Sequence, residues 1–137
     1  MHLRLAVLAD AANTTAEGKL NLLGEFNVIF ATSVPCTWPR MFLVLKLETD
    51  PGEGGHHNLR IRVIDQDGRP VTQDILGEVD FGERFRPGLP LSGTLIFEIR
   101  GASFQNLGTY EFEVYVGDHV ITKVPLYVVS RQAPEAT

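Results

Sequence analysis

Asn58–Asp65, NLRIRVID, is the stretch that decides the fold. Leu59, Ile61 and Val63 fall on one side of an extended chain, and Arg60 and Arg62 fall on the other. A period of two is the signature of a strand with one face in the core and one in water. The overlapping run Arg62–Val71, RVIDQDGRPV, decides how that strand ends. Asp65, Asp67 and Gly68 invite comparison with a calcium loop. An EF-hand needs oxygen ligands at its first, third and fifth positions, a glutamate at the twelfth, and flanking helices. With Asp65 and Asp67 third and fifth, the first position is Val63, which has no ligand atom, and the twelfth is Asp74. The flanks read as strands. Asp67-Gly68 therefore predicts a tight hairpin turn, the pair supplying its positive φ angles and Asp65 bonding the backbone inside the turn.

The same alternation recurs along the chain. At the N-terminus, Leu3, Leu5 and Val7 alternate with His2, Arg4 and Ala6. Leu20–Phe30 (LNLLGEFNVIF) is a β-favouring run with a bend expected at Gly24. Met41–Glu48 presents Leu43, Leu45 and Leu47 to one face, and a shorter strand is expected within Asp74–Gly82. Thr94–Arg100 presents Leu95, Phe97 and Ile99. Gly108–Asp118 presents Tyr110, Phe112, Val114 and Val116 opposite Glu111, Glu113 and Tyr115, and His119–Ser130 comes after it. Pro35 and Pro39 predict a crossing loop between sheets, because proline cannot donate to a ladder. Asp10–Gly18 has room for at most one helical turn. About eight strands, with turn signals roughly every 8–12 residues, predict an all-β antiparallel sandwich, Ig-like or C2-like. The expected core comprises Leu5, Leu22, Phe26, Leu45, Ile61, Val63, Leu95, Phe97, Tyr110, Phe112, Val114 and Val124.

The chain has 137 residues, 44% hydrophobic and 21% charged, a size that suits one globular domain without staples. A single domain over residues 1–130 is expected, with 131–137 a frayed tail. The formal charge of −5 argues against nucleic acid, which calls for a basic face. One cysteine, Cys36, allows no internal disulfide. Arg4 interrupts the N-terminal apolar run, so a strand is expected there rather than a signal peptide. No window is long and apolar enough for a helical membrane span. A cytoplasmic protein that does not engage membranes is the default expectation.

Candidate chemistry is sparse. Asp50, Asp65, Asp67 and Asp118 are the loop acids available to a calcium- or ligand-dependent module, against the usual six or more oxygens of a calcium site. His56 and His57 are adjacent, but zinc calls for three or four ligands, and His2 and His119 lie far off in sequence. A hydrolase on a sandwich scaffold would need Ser92, Ser103 or Cys36 within reach of a histidine, and no nucleophile-elbow motif is present. No catalytic residue, metal or cofactor is assigned. What remains is surface: Phe42, Val44, Ile64, Ile96 and Tyr115 occupy strand positions opposite the expected core. Clustered outside, they would form an interaction face larger than a monomer normally exposes.

Several pieces of the sequence carry a resemblance. Asp10-Ala11 ends the first strand, Gly18–Phe26 reads G-K-L-N-x-L-G-x-F, Asp65–Arg69 reads D-x-D-G-R, and Gly108–Val114 reads G-x-Y-x-F-x-V before an acidic turn. In these features, spread over nearly the whole chain, it resembles a family of small bacterial proteins of unknown function. The resemblance implies a β-sandwich and brings no activity or catalytic residues. Gly18 and Gly24 are expected to allow a turn and a bend, with Asp10, Lys19 and Asn21 fixing the first turn by hydrogen bonds. The functional expectation is a non-catalytic binding or structural module, working through a sheet face or loop ends on a protein partner or on further copies of itself.

Overall fold

A computed structural model describes residues 1–50, 54–81 and 89–131. Among these residues nine strands and no helix are found: β1 (His2–Thr14), β2 (Leu20–Phe26), β3 (Val28–Ala31), β4 (Cys36–Glu48), β5 (His56–Ile64), β6 (Ile75–Asp80), β7 (Ser92–Phe104), β8 (Gly108–Val116) and β9 (His119–Ser130). They form a four-stranded sheet, β2-β1-β4-β7, and a five-stranded sheet, β3-β9-β8-β5-β6. β1-β4-β7 facing β9-β8-β5 is the A-B-E against G-F-C arrangement of an immunoglobulin-type sandwich. Tyr110, buried at the start of β8, strengthens that assignment. Its hydroxyl donates to the Asn106 carbonyl at 2.6 Å and accepts from the Asn106 N–H at 3.3 Å, the back-reaching bond that pins the corner before this strand.

Pairing is antiparallel except at one place. β3 runs parallel to β9, with Val28 opposite Tyr127 and Phe30 opposite Val129. The run Leu20–Phe30 is thus two strands rather than one, divided at Asn27 and belonging to different sheets. The expected bend at Gly24 lies inside β2: Gly24 has φ +67°, and a Cβ there would collide with Asp10 Oδ2. Only glycine fits both that backbone and that approach.

The core lies between the sheets. β4 contributes Met41, Leu43, Leu45 and Leu47; β5 contributes Leu59, Ile61 and Val63; β8 contributes Tyr110, Phe112 and Val114; β9 contributes Val124, Leu126 and Val128. Leu5 is a correction. A bulge between Leu3 and Leu5 resets the alternation, so Ala6 and Leu8 turn inward opposite Leu45 and Leu43, while Leu5 stands opposite Lys46. Leu22 lies outside the buried cluster, and Phe26 and Leu95 are half-buried at its margin.

The expected crossing loop is shorter than Pro35–Pro39, because β4 already begins at Cys36. Pro39 is tolerated there because β1 pairs with β4 only as far as Phe42, which leaves nearly half of β4, Cys36–Met41, without a neighbour on that side. The residues with room for a helical turn belong instead to β1 and the turn after it. The tail expected over 131–137 falls, but for Arg131, outside the described residues.

Candidate functional site

Asp65 and its neighbours form a turn held by the backbone. Asp65 Oδ1 accepts hydrogen bonds from the N–H groups of Asp67 and Arg69, both at 2.9 Å. Asp65 N–H donates to the Arg69 carbonyl, Gly68 N–H to the Asp65 carbonyl, and Gly68 has φ +78°. The side chain organises the connection between β5 and β6. Asp50 and Asp118 are elsewhere. Asp50 follows β4 and meets His2 Nε2 at 2.8 Å, while Asp118 lies in the turn after β8, whose Gly117 bonds Asn58 near the start of β5. Asp65 and Asp67 lie beyond the other end of β5, so the structure does not bring the four acids together. Among the described residues no group of three or more metal-binding side chains occurs.

The histidine pair is split by the strand. His56 Nε2 lies 3.2 Å from Asn58 Oδ1, while the His57 ring meets Phe81 edge-on, 5.9 Å between centroids. Successive side chains on a strand point to opposite faces, so the two imidazoles diverge.

Among the described residues none of the three possible nucleophiles has a hydrogen bond to a histidine. Ser103 and Cys36 are near the β4–β7 end opposite His2: Cys36 pairs with Phe104, whereas His2 pairs with Glu48 at the far end of β4. Ser103 Oγ accepts from Gln105 Nε2. Ser92 pairs with Glu48 on the side away from His2, which separates serine and histidine by two strand spacings, roughly 10 Å.

The five-residue interaction face is divided. Phe42, Val44 and Ile96 share the outer face of the four-stranded sheet; Ile64 and Tyr115 share the outer face of the other sheet. Phe42 and Val44 are 7% and 0% exposed and present almost nothing to a partner. Val44 sits between Val7 on β1 and Ile96 on β7, and the Arg40 guanidinium stacks over the Phe42 ring at 4.8 Å. Arg40 and Arg100 both pair with Glu98 beside this ring. The Arg100 hydrogen bond, opposed by desolvation and helped by the charges of Arg100 and Arg40, holds the Glu98 carboxyl below its ordinary range. On the opposite sheet, Arg60 lies 4.4 Å over the Tyr115 ring and 3.8 Å from Asp74. On each outer face an arginine thus lies along an aromatic ring.

The β3–β9 end of the five-stranded sheet's outer face is different. Ile29 and Ala31 of β3 and Val128 of β9 face the core, so Val28, Phe30, Tyr127 and Val129 face outward together in the parallel register. Phe30 is 61% exposed, Tyr127 39% and Val129 36%. This strip lies at the edge of the five-stranded sheet, and no charged residue lies among its four members. The alternation within NVIF and LYVV holds the signal for each half. Only the long-range parallel pairing shows that the halves adjoin.

Asp10, Lys19 and Asn21 do not form one site. Asn21 Nδ2 donates to Asn13 Oδ1 at 3.0 Å, Lys19 Nζ meets Glu17 at 3.3 Å, and Asp10 packs against Gly24. The turn is held by Thr15, whose hydroxyl accepts from Lys19 N–H and whose N–H donates to the Lys19 carbonyl. Gly18 adopts φ +85° within it.

A family model described as a family of unknown function, DUF6941, matches residues 4–129. The chain belongs to the DUF6941 family. The match takes in parts or all of every strand, so the DUF6941 unit is the sandwich itself, with the Phe30–Val129 strip inside it. No curated protein matches the sequence. No described helix is long and apolar enough to cross a membrane.

Proposed function

We propose that this DUF6941 protein is a non-catalytic binding module that holds a protein partner through the outward strip Val28, Phe30, Tyr127 and Val129. One observation carries the reading: a phenylalanine 61% exposed beside a tyrosine and two valines on one continuous sheet surface. Leaving a large apolar side chain in water forgoes about 1.5–3 kcal/mol that burial would return. Aromatic side chains set centrally in a patch are the usual anchors of protein interfaces. The dispersal of acids, imidazoles and possible nucleophiles supports a binding role over a catalytic one, since a reaction needs such groups convergent.

The test is capture of partners from the native host with three baits: the unaltered protein, a Phe30→Asp/Val129→Asp variant, and a Leu23→Asp variant. Leu23 is an exposed leucine on the other sheet and serves as the control. The reading predicts partners shared by the unaltered and Leu23→Asp baits and missing from the double variant. Identical retention by all three baits, or none above background on the unaltered protein, would contradict it.

A further inference from the structure

The lateral edges of the two sheets are unequal. β2, β3 and β6 are edge strands of 7, 4 and 6 residues, whereas β7 is an edge strand of 13. Natural sheets guard their edges by keeping them short, bulged, charged or proline-bearing. Ser92–Arg100, SGTLIFEIR, has no proline, keeps an unshifted register with β4, and carries charge only at Glu98 and Arg100. In an antiparallel ladder, alternate residues direct their N–H and C=O groups away from the partner strand. Along this stretch those groups find no bond with a described residue. In the seven-strand sandwich a further strand stands at this position; among the described residues none does. Past Arg100, Gly101 has φ +63°, and an open cavity of about 400 Å³, lined also by Val71, Thr72, Gln73 and Ile75, borders β7 from Glu98 to Ser103.

We propose that β7 is a self-association edge, on which a second copy of the chain pairs antiparallel through Ser92–Arg100 about a twofold axis at Ile96. Pairing in an antiparallel ladder brings together residues that share a face, and the axis at Ile96 centres the whole straight stretch. Ile96 then meets Ile96 of the second copy, Thr94 meets the second copy's Glu98, and Ser92 meets its Arg100. On the core side Leu95 meets the second copy's Phe97. No like charges stand opposite one another, and each charged group faces a hydroxyl. An axis two residues along, at Glu98, would set two carboxylates face to face, which destabilises a cross-strand pair. The half-buried Ile96 ends the apolar row Val7–Val44–Ile96, and the second copy continues that row across the axis. This surface is separate from the Phe30 strip, and neither proposal rests on the other.

The experiment is light scattering from low micromolar to near-millimolar protein, with disulfide trapping in a Cys36→Ser background. A cysteine at the axis lies about 4.5–5.5 Å, Cα to Cα, from its counterpart. That is within the roughly 4.4–6.8 Å a disulfide spans. Thr94 lies four residues along from its counterpart, about 13 Å away. The proposal predicts a concentration-dependent dimer, at least tenfold weakening by Ile96→Lys, covalent dimer from Ile96→Cys on mild oxidation, and none above background from Thr94→Cys. A monomer throughout the range would overturn it. So would a dimer indifferent to Ile96→Lys, or equal trapping at Thr94 and Ile96.

Discussion

Gly77→Ala tests how closely the two sheets pack beside the β7 edge. Gly77 is on β6 of the five-stranded sheet, and Phe97 is on β7 of the other. A Cβ at Gly77 would lie 2.5 Å from Phe97 Cε1 and 2.7 Å from Cζ, about 1 Å inside ordinary contact. Phe97 is 9% exposed and part of the core cluster, so its ring has little room to retreat. Overpacking of this kind costs about 1–3 kcal/mol. For a chain of this size, a loss of about 2 kcal/mol lowers the melting midpoint by roughly 8 °C. The assay is calorimetry or circular dichroism on Gly77→Ala, Phe97→Leu and the double variant. Shrinking the ring should relieve the clash, so the double variant should be about 1 kcal/mol or more better than the sum of the two single losses, the coupling expected of residues in contact. A neutral Gly77→Ala, or strict additivity, would refute the packing described between β6 and β7.

Other expectations rest on single contacts. Asp65→Ala should cost about 1–2 kcal/mol in denaturant unfolding, because two turn N–H groups lose their acceptor, whereas Asp67→Ala should be nearly neutral. Tyr110→Phe should cost about 1–2 kcal/mol, because its buried hydroxyl donates to the Asn106 carbonyl. Carboxyl NMR should find Glu98 titrating below an ordinary glutamate, and Arg100→Gln should move it upward. Since its folded pKa lies below the unfolded value, the stability this group contributes is present above the unfolded pKa and fades as pH falls through the folded one. The effect therefore belongs to the acid limb of the stability profile. Calcium should leave the melting midpoint where a chelator leaves it, because Asp50 and Asp118 lie at the opposite end of the sandwich from Asp65 and Asp67; a raised midpoint would contradict that placement.

Period-two patterning made the architecture legible. The runs around Leu59–Val63, Leu43–Leu47 and Tyr110–Val114 are strands whose inward residues form the core. Asp65–Gly68 was legible as a turn because its chemistry is local: one carboxylate and two nearby N–H groups. Leu5 was misplaced because a bulge moves every later residue to the other face without changing composition. The division of Leu20–Phe30 between two sheets was hidden because β3 pairs with a strand about a hundred residues away. Long-range pairing also separated Phe42, Val44 and Ile96 from Ile64 and Tyr115. Alternation shows that a residue points away from the core. It does not show which sheet carries the residue, or that Arg40 lies over Phe42.

Hydrogen exchange of the protein alone and with a captured partner addresses the binding claim most directly. Engagement of the strip should slow exchange over Val28–Ala31 and Tyr127–Ser130 and leave the turn at Asp65–Arg69 unchanged. Protection confined to that turn, or to the loops at the other end of the sandwich, would contradict it.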